Sequence, residues 1–182
     1  MTTIHFTDTA EANDLLATND FAMLVGMTLY QQVPVEKAFA GPAVLQQRMG
    51  CPIDAATVAS MDPEKLGEIF SETPAIHRFP ANMAKRTQAV ASHIVDQYGG
   101  DVAGLWTDVA DAKELLKRIK AMPGFGDYKA KVYAAVLARH FGIQPAGWNE
   151  RLPDWPNISE VTSDVGRSEM KERKKVWKAA KT

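Results

Sequence analysis

Three short stretches hold residues whose types and spacing could do chemistry. The first is Met122-Pro123-Gly124-Phe125-Gly126-Asp127-Tyr128-Lys129-Ala130-Lys131. Pro-Gly-Phe-Gly turns the chain between two helical patterns. Gly124 and Gly126 give the backbone conformations closed to other residues and leave no side chain in the way of a ligand. The first N–H groups of the following helix lack intrahelical acceptors, and with the helix dipole they make an anion site. A phosphodiester held this way is gripped without its sequence being read. Lys129 and Lys131 flank that site and could reach neighbouring phosphates. The second stretch is Leu24 to Val33, an apolar helix ending in Gln31-Gln32. The third is the loop Gly142-Ile143-Gln144-Pro145-Ala146-Gly147-Trp148-Asn149, followed by Glu150.

The first stretch resembles the helix-hairpin-helix element: apolar, Pro, Gly, apolar, Gly, then three residues and a small Ala, here Ala130. Together the three stretches resemble the helix-hairpin-helix base-excision DNA-repair glycosylases whose name adds a Gly/Pro-rich loop and an aspartate. The resemblance runs from about Phe21 to Asn149. It implies duplex DNA as the partner and two helical lobes with a cleft between them. Gln32 would enter the stack where the target base has left, offering an amide to the orphaned partner base. Gly124, Phe125 and Gly126 would hold the backbone. Tyr128 could stack on an extruded base.

The chain departs from that family in three ways. The aspartate's slot falls on Asn149 counted from Gly142, or on Ala146 counted from the hairpin, and neither is acidic. Asn accepts a hydrogen bond but supplies no negative charge for an oxocarbenium-like transition state. Glu150 is the nearest carboxylate that could replace it. Where strand-cutting members carry a Schiff-base lysine, two residues after the last hairpin glycine, this chain has Tyr128. Adjacent Lys129 points about 100° away on a helix of ~3.6 residues per turn. If active, the protein is therefore expected to be a monofunctional N-glycosylase without lyase activity. The one cysteine, Cys51, cannot ligate an iron–sulfur cluster. No metal or other cofactor is expected, though a hairpin of this form can hold a monovalent cation through its carbonyls.

The elements that must position these residues are helical. Period-2 alternation is absent, and apolar residues recur at helical spacing. Asp8 would cap a first helix, and Asp54 and Asp62 would cap two short ones. Gly41-Pro42 should break the run after Val35. A long helix should begin near Pro80 and end at Gly99-Gly100, two more should span Asp111–Met122 and Asp127–Phe141, and a charged one Glu169–Lys181. The fold class is all-α. Residues 19–145, with the hairpin at 122–126, would form one helical domain, and 1–18 with 146–182 a second lobe.

The 182 residues are 46% hydrophobic and 24% charged, which suits a globular chain. The start lacks a basic segment followed by an apolar run, and Phe21–Thr28 is too short to span a bilayer. A monomer in the cytoplasm, at the nucleoid if the source is bacterial, with no membrane partner, is the expectation. The net charge of −1 counts mildly against DNA. Between Arg167 and Lys181, however, seven basic residues face two acidic ones. Two alternatives stay open. One is a non-catalytic DNA-binding or lesion-recognition protein, and the other a helical protein-interaction domain.

Overall fold

A computed structural model describes residues 2–182. The described residues contain nine α-helices: α1 (Ala10–Thr18), α2 (Asp20–Leu29), α3 (Val35–Met49), α4 (Ala55–Ser60), α5 (Pro63–Ser71), α6 (Pro80–Tyr98), α7 (Ala112–Lys120), α8 (Asp127–His140) and α9 (Gly166–Ala179). Short 3-10 turns at Val102–Leu105, Trp148–Arg151 and Ile158–Glu160 join the later ones. The all-α expectation holds. No described helix is long and apolar enough to cross a membrane.

Helix α2 is the hub. Every residue from Phe21 to Leu29 is buried, as expected of a helix that is apolar all round. It packs on α1, α3 and α6. Gly26 allows the approach of α3, since a Cβ there would lie 2.6 Å from Phe39 Cδ1. One continuous apolar cluster runs from Ile4 to Met170. Buried Ala130 lies on α8, which packs on α7.

Local capping rules place most helix starts. Asn19, Asp54, Asp62 and Asp111 accept backbone N–H bonds at the starts of α2, α4, α5 and α7. The long helix starts at Pro80 and stops at left-handed Gly99. Two expectations fail. Gly41-Pro42 does not break the run, because α3 passes through Pro42. Gly41 and Pro42 are buried against the core, and that packing offsets the missing hydrogen bond. Asp8 does not cap α1. Thr9 is the cap residue without a side-chain bond, and Asp8 pairs with Arg167 at 2.5 Å. That pair, with His5 to Asp164 at 2.8 Å, ties the N-terminal segment to the region around the start of α9.

Candidate nucleic-acid interface

The bend between α7 and α8 spans residues 121–126. Met122 and Phe125 turn into the core, while Gly124 and Gly126 stay exposed. The amide of Phe125 donates to the Met122 carbonyl at 3.2 Å, which closes the turn. Gly124 has φ +79, and a Cβ there would meet the Arg86 side chain at 2.8 Å. Gly126 caps α8 without a side chain. The first backbone bond into that helix is from the Ala130 amide to the Gly126 carbonyl, 2.9 Å. The N–H groups of Gly126, Asp127, Tyr128 and Lys129 therefore have no acceptor among the described residues. One anion stands nearby. Exposed Asp127 pairs with Lys120 at 2.5 Å, and that contact holds its carboxyl below the usual carboxylate range.

The second edge is the end of α2. A helix C-terminus leaves carbonyls unpaired, and here side chains from other helices and loops take them. Lys129 Nζ donates to the Thr28 carbonyl at 3.0 Å. His77 Nδ1 accepts the Phe79 amide at 3.0 Å, so its proton sits on Nε2. From there it is shared between the Leu29 carbonyl at 3.1 Å and the Gln31 carbonyl at 3.0 Å. Burial is the main reason that His77 has a lowered pKa, consistent with this neutral form. Arg86 donates to Gln31 Oε1 at 3.0 Å. Gln32 follows, exposed and at φ +57, a conformation few non-glycine residues adopt. Strain at an exposed residue, held by buried neighbours, often marks a functional position.

Between the two edges lies a cavity of about 560 Å³. Tyr30, Gln32, Tyr128, Lys129, Asn157 and Trp177 are among the residues that line it, and no aspartate or glutamate does. Tyr128, half exposed, stacks on Trp155 with centroids 4.7 Å apart and planes 14° from parallel. Lys174 lies over the Tyr128 ring at 5.8 Å. Burial pulls the Lys129 amine down to about 8, with a smaller push from nearby Arg86. Burial likewise raises the Tyr30 hydroxyl to about 12.

The sequence-chosen residues divide between two sides of α8. Gln32, Tyr128 and Lys129 meet at the cavity, and Gly124, Phe125 and Gly126 form the bend beside it. Although Tyr128 and Lys129 are adjacent on the helix, both reach the cavity. Lys129 turns its amine inward instead of flanking the bend. Lys131 lines a different groove of about 1000 Å³, along α7, with Asp127 and Arg151. That groove mixes acids and bases and lacks converging aromatic groups. Asn149 and Glu150 lie exposed on the turn Trp148–Arg151, which packs on α7 and α8, and neither lines the cavity.

Sequence reasoning missed three contributors. Asn157 is buried. Its Oδ1 accepts from the Ser159 amide at 3.1 Å and the Ser159 hydroxyl at 2.6 Å, and its Nδ2 donates to the Trp155 carbonyl at 2.8 Å. The Asn-x-Ser spacing was a visible sign of such a turn, but nothing local shows that it faces a cavity. The bracing roles of Arg86 and His77 were not legible because their partners, Gln31, Gly124 and Leu29, are distant in sequence. Comparison with known proteins finds no matching family model, no matching curated protein and no matching solved structure.

Proposed function

We propose that this chain binds duplex DNA across the cleft, gripping a backbone phosphate at the bend and receiving an extruded base in the cavity. In this reading the unpaired amides of Gly126 to Lys129 hold the phosphate, and Gln32 fills the gap in the stack. The observation that carries it is Arg86. Its side chain packs under Gly124 and its guanidinium bonds Gln31, so one residue couples the bend to the turn presenting Gln32. An unrelated αα-hairpin has no reason to be tied, through Gln31, to the turn that presents Gln32 at positive φ. Aromatic walls suit a base, and the basic α9 beside the cavity suits phosphates.

The chemistry is proposed as lesion recognition of the helix-hairpin-helix glycosylase type, without carboxylate-driven base release. Asn149 and Glu150 are exposed away from the cavity, and the polar groups lining it are amides, phenols and amines. The test is gel-shift binding to short duplexes, intact or with an abasic analogue, together with base release from duplexes carrying uracil, oxidised or alkylated bases. Binding that prefers the abasic duplex, with no release, is expected. Equal failure to bind any duplex contradicts the proposal.

Lys129 favours a second reading. A buried amine held near 8 is partly neutral at mildly alkaline pH and can attack a carbonyl. With the aldehyde of an abasic sugar it would form an imine, and water would leave. Borohydride trapping on abasic DNA decides it. A covalent adduct in the wild type that is lost in Lys129→Met supports this reading, and no adduct rules it out.

A further inference from the structure

We infer that the cavity between the Gln32 turn and α8 takes a planar heterocycle with an anionic or carbonyl-rich edge and turns away a cationic, ring-alkylated one. This rests on reading the cavity as the receiver of an extruded base, and it names the class of base.

The inference comes from the charges around the cavity. Lys129, Lys174 and Lys178 line it, and no carboxylate does. None of these three amines has a carboxylate partner within ion-pair distance among the described residues. Glu36 acts on Tyr30 from nearby but is not part of the lining, and it is engaged by Lys171 at 2.5 Å. A ring with a fixed positive charge would therefore meet three like charges in a partly dry site, with nothing to neutralise it. Aromatic faces could attract a cation, but Lys174 already lies over the Tyr128 ring, which itself stacks on Trp155. A ring bearing an ionised or carbonyl-rich edge meets the opposite situation. Ammonium groups and the Gln32 amide can donate to its oxygens, and bonds between opposite charges are the stronger kind. Tyr30 and Trp177 provide apolar surface for either ring, so shape alone does not discriminate.

Three nucleosides of similar size isolate charge from shape: xanthosine, anionic at neutral pH; inosine, neutral; and 1-methyladenosine, cationic. Calorimetric titration of the full chain with each at pH 7 should rank them in that order, with xanthosine at least about tenfold tighter than 1-methyladenosine. The double variant Lys174→Gln/Lys178→Gln should narrow the gap, and Lys174→Glu/Lys178→Glu should reverse it. These lysines lie on α9 away from the core, so the variants should keep the wild-type melting temperature. Equal affinities, a preference for the cation, or no binding by any nucleoside overturns the inference. A gel shift on the same preparations separates this from the DNA proposal. DNA binding without nucleoside preference sinks only the inference. Nucleoside preference without DNA binding supports the cavity's charge selectivity and sinks the duplex reading.

Discussion

Two helix ends face the same cleft and are treated in opposite ways. At the start of α8 the backbone donors are left open, with Gly126 offering no cap. At the end of α2 the carbonyls of Thr28, Leu29 and Gln31 are taken by Lys129 and His77, and Arg86 takes the Gln31 side chain. Unpaired amides are tolerable at this end because Gly126, Asp127 and Tyr128 are exposed, whereas the α2 carbonyls lie among buried groups and must be satisfied. The open end is available to a ligand anion. The closed end is stiffened, and it fixes where Gln32 emerges. The Lys129 ammonium also masks the negative end of the α2 dipole from any approaching phosphate.

The largest effect expected from breaking this arrangement is at His77. His77→Ala leaves the Leu29 and Gln31 carbonyls and the Phe79 amide without their side-chain partner in a buried site. A loss of about 3 kcal/mol is expected in denaturant unfolding. A loss below about 0.5 kcal/mol would mean that the closed end is not closed by this residue.

A smaller effect separates the two asparagines that follow α8. Asn157→Ala removes two buried hydrogen bonds and one part-buried one and should cost about 2 kcal/mol, whereas exposed Asn149→Ala should stay within about 0.5 kcal/mol. If both are neutral in stability, Asn157 is not the ordered wall of the cavity described here.

The bend was legible in the sequence and the cavity was not, for a physical reason. Pro123, Gly124 and Gly126 act through their own backbone, so type and spacing suffice to foresee an exposed turn with free amides. The caps Asp54 and Asp62, and the stop at Gly99, are local in the same way. Pro42 misled because burial of α3 overrides a local breaker. The slot count that chose Asn149 and Glu150 failed to reach the cavity because an irregular loop has no fixed rise per residue. Trp155 stacks on Tyr128 and its carbonyl accepts from Asn157 Nδ2, and it is Asn157 that lines the cavity. The helical angle between Tyr128 and Lys129 led to the expectation that they part, yet both line the cavity. It did not reveal that the cavity is wide enough for both, because its far wall, α9, comes from the other end of the chain.

A pH effect on the order of 1 kcal/mol sharpens the closed end further. Lys129 has its pKa lowered from 10.5 to about 8 by burial, so the unfolded chain binds more protons between those values. Stability of the wild type should therefore rise relative to Lys129→Met as pH goes from 8 to 9.5, and the difference should be flat below 7. No relative gain over that window would mean that the amine is hydrated.

The open end has the smallest expected effect on stability and the most to say about function. Gly126 sits at φ −79 with ψ −178, and a Cβ there meets nothing within 4 Å. Gly126→Asp is free of the strain that any change at Gly124 would bring. Its carboxylate should cap α8 and raise stability by a few tenths of a kcal/mol. The same carboxylate would occupy the amides meant for phosphate. Paired thermal melts and low-salt duplex titrations of wild type and Gly126→Asp should show an unchanged or higher melting temperature with at least about tenfold weaker DNA binding. Equal DNA affinity in the two proteins would contradict phosphate capture at the bend.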